Sequence, residues 1–461
     1  MNIYKNYHAF QSEGEYYILD TKRIIPAKIT ESQFWCFKRL MDEKEAQFDS
    51  FPSRFSEIEE FYQQSIFISQ NSEYITNAYR ELSLSFAPIY ACNMRCRYCF
   101  SKRKTDYIYT SQTIINDAIE FFDTQFDFRT CRFDFVSGGE PLFDFAHFQK
   151  IVEQINTTMK RKQKTSLLWL CTNALELNEL QLSYLDENHF NIGISLDGPK
   201  NVNDANRVDS YGKGTYNKIV KNITMTMSNE NLSRQTKNLV NLAVVTSETS
   251  DLSMLLEHSY NIGFRNMQMK LVRTDMSNLK HETKNLIDLY QNFADYLFDK
   301  VKQSDLGKIV SICNQNDYFG KILLKLMLQV GIDRRCNAGI NKFSISPEGD
   351  IYPCDSFVGT EICLGNIYNG FNEKYKLFSS IRNHSLKKCS TCWAMNLCGG
   401  DCFYNSYTVN GDFKNPDANF CKLSKSMIMI ATRFVVKAYI DYPDVMSKIY
   451  KILYKRTVML E

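Results

Sequence analysis

The chain has 461 residues, of which 44% are hydrophobic and 23% are charged, and its 55 basic and 52 acidic side chains leave a formal net charge of +3. This length suggests about three domains, and the composition is that of a folded globular protein, which excludes a disordered chain. The nearly balanced charge excludes the extended basic surface of a nucleic-acid-binding protein, so we expect no nucleic-acid partner.

The N-terminus carries charged and polar residues where a signal peptide needs an apolar stretch, and we therefore expect a cytoplasmic protein. The most apolar later segments, 322–332 and 427–440, are interrupted by Lys325, Arg433 and Lys437. They fall short of the roughly 20 apolar residues that a membrane helix needs, so we expect no membrane association. In a reducing compartment, clustered cysteines are metal ligands more often than disulfides, and this chain has 15 cysteines.

The first eighty residues have the pattern of a small sheet followed by helices. Three short β-rich runs lie at 8–11, 15–20 and 23–29. Thr30 and Gln33 form a capping box before a predicted helix that ends near Met41. A second helical stretch, 56–65, leads into the apolar run 66–68.

Next in the chain are Cys92, Cys96 and Cys99, in a Cys-x3-Cys-x2-Cys arrangement. Structural zinc is closed by four protein ligands, whereas three cysteines leave one position open. A 4Fe-4S cluster on three cysteines has one iron that can bind a small molecule, and such clusters reach very low reduction potentials. At this point a zinc site completed by a remote histidine, in a non-catalytic peptide-binding protein, stays open as the alternative.

From about residue 83 to 304, β-rich apolar runs alternate with amphipathic helical stretches such as 111–126 and 215–227. The predicted strands are 82–90, 131–136, 166–171, 190–195, 239–245 and 266–272. Six strand–helix repeats indicate a parallel sheet covered by helices, either doubly wound or an incomplete barrel. The carboxyl ends of parallel strands, where such folds bind ligands, are followed here by small or polar residues.

These motifs, in this order, resemble the radical S-adenosylmethionine enzymes over residues of about 82–305. The resemblance is carried by the cysteine trio with Tyr98 before its last member, then by Ser-Gly-Gly-Glu-Pro, Thr-Asn and Ser-Leu-Asp-Gly-Pro. It implies an α/β fold, a TIM-like partial (β/α)6 barrel. It also implies that a 4Fe-4S cluster on the trio binds S-adenosylmethionine and cleaves it to a 5'-deoxyadenosyl radical, which takes a hydrogen from the substrate.

The same resemblance assigns roles by position. It makes Cys92, Cys96 and Cys99 the ligands of the cluster. The implied S-adenosylmethionine contacts are Tyr98 near the adenine, Gly138, Gly139 and Glu140 at the amino group, Ser195 and Arg207 at the carboxylate, and Asn173 and Asp197 as further contacts. The chain departs from the usual pattern at Ala174, where glycine is common, and at Asn203, where histidine is common.

A second cysteine group resembles the C-terminal extension called SPASM, which binds two auxiliary 4Fe-4S clusters. The resemblance assigns Cys389, Cys392, Cys398 and Cys421 to one cluster, and Cys336, Cys354 and Cys402 to the other. Residues 337–353 contain no cysteine, so the fourth ligand of the second cluster is either Cys363 or absent. An absent ligand would leave an iron for a substrate thiolate, which is a soft ligand. The other single cysteines, Cys36, Cys131, Cys171 and Cys313, are expected to be small buried residues.

The N-terminal pattern resembles the winged-helix peptide-recognition domain of enzymes that modify ribosomally made peptides. We therefore expect a peptide maturase that forms a cysteine thioether in a precursor peptide, whose leader adds a strand to the N-terminal sheet. A carbon–carbon cross-linking maturase and an anaerobic sulfatase-maturing, formylglycine-forming enzyme are the alternatives. The partners implied are the precursor and a low-potential electron donor such as flavodoxin or ferredoxin.

The expected domains are a peptide-recognition domain, the barrel, a helical bridge, the auxiliary-cluster domain and C-terminal helices, at 1–78, 79–310, 311–335, 336–425 and 426–461. The sequence contains no motif that identifies a catalytic residue. Asp355, directly after Cys354, is the one candidate for a general base.

Overall fold

The structure is a computed structural model that describes residues 7–42, 81–101, 105–136, 138–272 and 279–458. The helix predicted at 56–65 and the apolar run at 66–68 lie outside the described residues. In the described part of the chain, none of the helices has both the length and the apolar composition needed to cross a membrane.

The N-terminal segment forms an antiparallel sheet and one helix. Its strands are β1 (Tyr7–Ser12), β2 (Glu15–Asp20) and β3 (Ile25–Ile29), in the order β1-β2-β3, and they are followed by α1 (Glu31–Asp42). The predicted capping box is present, because the Gln33 backbone N–H donates to Thr30 Oγ1 at 3.2 Å and the Thr30 N–H donates to Gln33 Oε1 at 2.8 Å. These elements match the three strands and first helix predicted from the sequence, and the winged-helix assignment itself stays a prediction.

Six parallel strands follow, each hydrogen-bonded to the next in chain order. They are β4 (Glu81–Phe86), β5 (Thr130–Phe135), β6 (Thr165–Thr172), β7 (Asn191–Ser195), β8 (Val240–Val245) and β9 (Asn266–Leu271). The predicted partial barrel is confirmed. The first strand ends at Phe86 rather than at Tyr90, and Pro88, which has no N–H to donate to a neighbouring strand, lies in the segment predicted to continue it.

Helices connect these strands and continue after them. The helices within the barrel are α2 (Gln112–Gln125), α3 (Phe145–Arg161), α4 (Glu179–Glu187), α5 (Lys200–Asn206), α6 (Tyr216–Ser228), α7 (Arg234–Lys237) and α8 (Leu252–Ile262). After β9 come α9 (Thr283–Lys302), α10 (Leu306–Ile312) and α11 (Gly320–Leu328). The α2 and α6 helices match the two helical stretches given from the sequence to within one or two residues.

The C-terminal part extends the barrel sheet. Its strands are β10 (Lys342–Ile345), β11 (Asp350–Tyr352), β12 (Gly365–Asn366) and β13 (Gly370–Phe371), and its helices are α12 (Glu373–Ser380), α13 (Met395–Cys398), α14 (Phe403–Asn410), α15 (Ala418–Asp441) and α16 (Pro443–Val458). The β10 strand pairs in parallel with β4, with Phe343 opposite Leu84. The C-terminal cysteine-rich segment, residues 336–421, is therefore joined to the first strand of the barrel by main-chain hydrogen bonds.

The N-terminal sheet packs on α15. Phe10 and Tyr17 contact Val436 of that helix in a small buried cluster. Arg433, which is 3% exposed, forms ion pairs with Glu13 and, at 2.6 Å, with Asp295 of α9. These contacts fix the sheet to the C-terminal helices.

A ring contact also joins the N-terminal sheet to the cysteine-rich segment. His8 of β1 stacks on Trp393 with ring centroids 3.6 Å apart and ring planes 4° from parallel. Trp393 directly follows Cys392, so β1 lies beside one of the candidate cluster ligands.

Candidate functional site

The first cysteine trio lies in the loop after β4. Main-chain bonds from this loop to the segment after α5 fix its path: Arg95 N–H donates to Val208 O at 2.8 Å and Arg97 N–H donates to Asn206 O at 2.9 Å. Burial raises the pKa of the Cys92 thiol to about 12, and the Glu140 carboxylate and the neighbouring Cys96 and Cys99 act in the same direction.

The three half-buried thiols of Cys92, Cys96 and Cys99 are thus close enough to influence one another electrostatically. Thiolates at such a site need a cation to be stable, because burial penalises their negative charge. The trio can therefore hold a cationic metal cluster, which would compensate the charge of the thiolates.

The Gly-Gly-Glu segment after β5 lies directly against this loop. The Gly139 N–H donates to Ile89 O at 3.0 Å, and a Cβ on Gly139 would come within 1.9 Å of Ala91 O. Gly138 has a φ of +83°, and a Cβ there would come within 2.3 Å of Ala87 Cβ. Both positions need glycine because the two backbones approach so closely.

Glu140 holds the next strand end in place. Its carboxylate accepts from Thr172 Oγ1 at 2.5 Å and from Asn173 N at 2.8 Å, and burial raises its pKa while these bonds oppose the shift. The Asn173 side chain in turn donates to Asn93 Oδ1 at 2.8 Å, beside Cys92. Thr172 was not among the predicted site residues, and its role depends on a contact across 32 positions in the chain.

The two departures from the family pattern have structural consequences. Ala174 has a φ of +55°, in the left-handed region that favours glycine, which explains why glycine is usual there. Asn203 accepts from the Asp197 backbone N–H at 3.3 Å and donates to Asp204 at 3.1 Å, so its amide joins the end of β7 to α5.

A buried charged group faces the cysteine loop from the other side. Arg207, just after α5, donates to the Tyr98 hydroxyl at 2.6 Å, and its Nε has no hydrogen-bond partner among the described residues. Burial acts to lower the Arg207 pKa, but Cys96, Tyr98 and Asp197 raise it above its ordinary value. Asp197 is fully buried, and Ser195, the last residue of β7, is half-buried.

The Arg207 Nε–H is thus a buried donor that could give a hydrogen bond to a ligand. A guanidinium of this kind can bind a carboxylate through two parallel hydrogen bonds. These residues fit an amino-acid carboxylate such as that of S-adenosylmethionine.

Four C-terminal thiols that the resemblance assigns to one cluster lie close enough to influence one another electrostatically. Burial raises the pKa of Cys389 to about 12, and Cys398, Cys421 and Cys392 add to this shift. Ser424 donates to Cys398 Sγ at 3.2 Å. The structure thus brings Cys389, Cys392, Cys398 and Cys421 into one group.

The other C-terminal set also comes together. Burial raises the pKa of Cys354 to about 12, with further contributions from Asp355, Cys402 and Cys336. Cys363, the candidate fourth ligand, donates its thiol hydrogen to Gly365 O at 3.1 Å. After burial, it is the next group that raises the pKa of Tyr352. Its membership of the set stays a prediction.

A cavity of about 660 Å³ lies between the barrel and the cysteine-rich segment. Its wall includes Val245 and Leu271 at the carboxyl ends of β8 and β9, together with Arg335 and Cys402. Ser356, next to the candidate base Asp355, also lines it. Cys402, which with Cys336 and Cys354 makes up what we call the three-cysteine set, therefore faces this cavity at the mouth of the barrel.

The sequence did not identify a group of basic side chains beside these cysteines. Burial, followed by the charge of Arg335, lowers the pKa of Lys325 to about 7, while Cys398 acts to raise it. Burial likewise lowers the pKa of Lys321, which Cys398 and Cys336 oppose. The signal in the sequence was a lysine in an apolar helical segment, which indicated only that the segment does not span a membrane.

Within the described residues, no three His, Cys, Asp or Glu side chains are placed to hold a single metal ion. The zinc alternative requires a tetrahedral site around one ion.

Family models match two parts of the chain. A model described as the radical SAM superfamily matches residues 86–238, and SPASM, described as an iron-sulfur cluster-binding domain, matches residues 336–393. The first match contains the cysteine trio and Arg207. The second contains Cys336, Cys354, Cys389 and Cys392.

Similar proteins span most of the chain. The cysteine-type anaerobic sulfatase-maturating enzyme of Clostridium novyi is 30% identical over 376 residues, which are 75% of this chain and 94% of that enzyme. The solved structure of native anSMEcpe with bound AdoMet and Kp18Cys peptide has a TM-score of 0.62 at 22% identity, and covers 78% of this chain and 99% of that one.

Streptococcus suis SuiB bound to precursor peptide SuiA has a TM-score of 0.52 at 15% identity, and covers 90% of this chain and 98% of that one. At these identities, the two solved structures show that the fold is shared.

Proposed function

The chain belongs to the radical S-adenosylmethionine enzymes with a C-terminal SPASM domain, and from this premise we propose that it forms a thioether cross-link in a ribosomally made precursor peptide. Its cofactors are accordingly a 4Fe-4S cluster with S-adenosylmethionine and auxiliary clusters. The observation that carries the thioether proposal is the position of Cys402, a member of a three-cysteine set, in the wall of the cavity at the barrel mouth.

The proposed cofactor-binding residues are those assigned by position. Cys92, Cys96 and Cys99 hold the first cluster. When bound, this cluster and S-adenosylmethionine supply a radical that removes a hydrogen atom from a substrate carbon. Gly138, Gly139 and Glu140 receive the amino group, Arg207 and Ser195 the carboxylate, and Tyr98, Asn173 and Asp197 complete the pocket.

The residues around the cavity would position the substrate. Joining sulfur to carbon removes one hydrogen atom from the carbon, one proton from the thiol and one electron, which the auxiliary clusters can accept. Asp355, beside Cys354, is the proposed acceptor of the thiol proton. Cys336 and Cys402 are exposed, so a substrate thiolate could approach the three-cysteine set directly.

The N-terminal sheet is the proposed docking site for a leader peptide. Its β3 strand contains Pro26, which cannot donate to a further strand, and packs on α15. The outer edge of β1 is therefore the better edge for strand addition, and tethering there would raise the concentration of the core peptide at the barrel mouth. The precursor-bound relative SuiB also covers 90% of this chain.

Deleting residues 1–78 should weaken binding of a precursor peptide that the full-length enzyme modifies by at least about tenfold, or about 1.4 kcal/mol. Cleavage of S-adenosylmethionine in the absence of peptide should change little, because the trio and Arg207 lie in the retained part. Fluorescence anisotropy with labelled precursor measures the affinity.

The deletion uncovers the face of α15 around Val436, so its melting temperature is measured alongside. An isolated leader peptide should compete with the precursor for the full-length protein and not for the truncated one. Equal affinity of the two proteins for the precursor would rule out leader binding by this sheet.

A second candidate function is oxidation of a sulfatase cysteine to formylglycine. It is favoured by the similarity to cysteine-type anaerobic sulfatase-maturating enzymes, at up to 30% identity. The extra N-terminal sheet, which that chemistry does not explain, places it second. A carbon–carbon cross-link is the third reading and shares the leader-binding step.

The product mass distinguishes these reactions. We expect the reduced enzyme to convert a cysteine-containing precursor to a species lighter by two hydrogen atoms, with its sulfur retained and no longer alkylated by iodoacetamide. A formylglycine product would instead have lost its sulfur and would react with an aldehyde probe. Loss of two hydrogens with an alkylatable thiol would indicate a carbon–carbon bond.

Two further assignments complete the proposal. A low-potential donor such as flavodoxin or ferredoxin would reduce the first cluster in the cytoplasm, where the cysteines stay reduced. The domain limits 1–78, 79–310, 311–335, 336–425 and 426–461 are kept as the proposed division of the chain.

A further inference from the structure

The α11 helix contains two lysines, Lys321 and Lys325, which lie near the C-terminal cysteines. Lys325 is 4% exposed, and its Nζ donates to the carbonyl oxygen of Leu397 at 3.2 Å, next to Cys398. The Nζ of Lys321 lies 5.3 Å from the centre of the Tyr318 ring. Lys321 and Arg335 are half-buried, and together with the buried Lys325 they form what we call the buried cation cluster.

Arg335 lies between two aromatic rings. Its guanidinium carbon is 5.1 Å from the centre of the Tyr318 ring and 4.9 Å from that of Phe420. The same residue lines the cavity beside Cys402. The buried cation cluster thus extends from the four-cysteine set to the three-cysteine set.

Buried cations are normally paired with carboxylates. In the part of the chain that the structure describes, no carboxylate forms an ion pair with Lys321 or Lys325. The anionic groups that act on them are thiols: Cys398 on both lysines, and Cys336 on Lys321. Bound as thiolates in iron–sulfur clusters, these cysteines would supply the negative charge that the two lysines lack and would keep them protonated against the effect of burial.

The effect of such cations on a cluster follows from its charge. Four thiolates outweigh the positive charge of an iron–sulfur core, so the assembly is an anion, and reduction adds another negative charge. A nearby cation in a poorly screened interior stabilises the reduced form more than the oxidised form. The reduction potential of a cluster depends on this local charge and on exposure.

We propose that the buried cation cluster raises the reduction potentials of the auxiliary clusters, so that they can accept the electron released when the product bond forms. The proposal depends on the iron–sulfur assignment made above. Lys325 acts on the cluster of Cys389, Cys392, Cys398 and Cys421, because its neighbour is Cys398. The proposal extends to Lys321, one helical turn before Lys325 on α11, because the charges of Cys398 and Cys336 both act on it.

The test is an anaerobic redox titration followed by electron paramagnetic resonance. The background is a variant in which Cys92, Cys96 and Cys99 are alanine, so that only the auxiliary clusters titrate. Lys325→Met keeps the length and apolar stem of the side chain and removes the charge. At a fixed potential it should lower the ratio of reduced to oxidised four-cysteine cluster about tenfold, which for a one-electron couple is about 59 mV.

Matched variants separate charge from structure. Lys325→Arg keeps the charge and should titrate like the parent, and Lys448→Met, on the exposed surface of α16, should also leave both clusters unchanged. Lys321→Met should lower the potentials of both clusters. A Lys325→Met protein whose two clusters titrate as in the parent would overturn the proposal.

Iron and sulfide analysis keeps this failure distinct from failure of the function. Absence of auxiliary clusters from the parent protein would refute the iron–sulfur assignment and, with it, this inference. Intact clusters with unchanged potentials would refute the role of the cations alone. Neither measurement needs the peptide substrate.

Discussion

Replacing Cys92, Cys96 and Cys99 together by alanine should abolish the conversion of S-adenosylmethionine to 5'-deoxyadenosine by dithionite-reduced protein. The three thiols are the proposed ligands of the cluster that donates the electron, and the segment 92–130 contains no other cysteine. The iron content should fall from about twelve to about eight per chain, because the auxiliary clusters remain. Chromatography of the nucleoside product and iron analysis measure the two effects.

The matched control replaces three cysteines outside the proposed clusters, Cys131, Cys171 and Cys313. Two of them are buried core residues and Cys171 accepts a hydrogen bond from Trp169, so their loss should lower stability modestly and leave the iron content and cofactor cleavage in place. Residual cleavage in the Cys92, Cys96 and Cys99 variant would place the active cluster elsewhere. Stoichiometric zinc in a colourless parent protein would contradict the cluster assignment altogether.

The barrel could be predicted because its signals are local. Each of its six strands is a short apolar run, and the pattern changes from strand to helix within a few residues. The prediction for the first strand extended past Phe86 because periodicity alone does not register the effect of Pro88 on pairing. The extension of the sheet by β10, in contrast, pairs Phe343 with Leu84 across more than half of the chain, and local patterns carry no information about it.

The candidate site divides in the same way. The order and spacing of the cysteines carried the resemblance that assigns them to three sets, and their roles as cluster ligands stay predictions. The bonds from Thr172 and Asn173 to Glu140, and the position of Lys325 beside Cys398, depend on tertiary packing and could not be predicted from spacing. Ala174 combines both situations. The sequence shows that it stands where glycine is common in the family, but only the structure shows its left-handed backbone.

Replacing Arg207 should separate two roles of this residue, charge balance and ligand binding. Arg207→Met leaves Asp197 buried without its cationic neighbour, which should cost on the order of 3 kcal/mol of unfolding free energy. It should also weaken S-adenosylmethionine binding at least about tenfold, because the guanidinium is the proposed partner of the carboxylate. Chemical denaturation and isothermal titration calorimetry, both under anaerobic conditions, measure these effects.

Arg207→Lys is the informative comparison. A lysine keeps the positive charge near Asp197, so much of the lost stability should return, but it has no Nε–H and cannot make two parallel bonds to a carboxylate. Binding of S-adenosylmethionine should therefore stay weak in this variant. Adding Asp197→Asn to Arg207→Met should restore stability more than additivity allows, since the two side chains share one buried site. An affinity for S-adenosylmethionine equal to that of the parent in the lysine variant would show that the Nε donor of Arg207 does not bind the cofactor. The carboxylate of S-adenosylmethionine would then have to accept hydrogen bonds from other donors, of which Ser195 is the first to test.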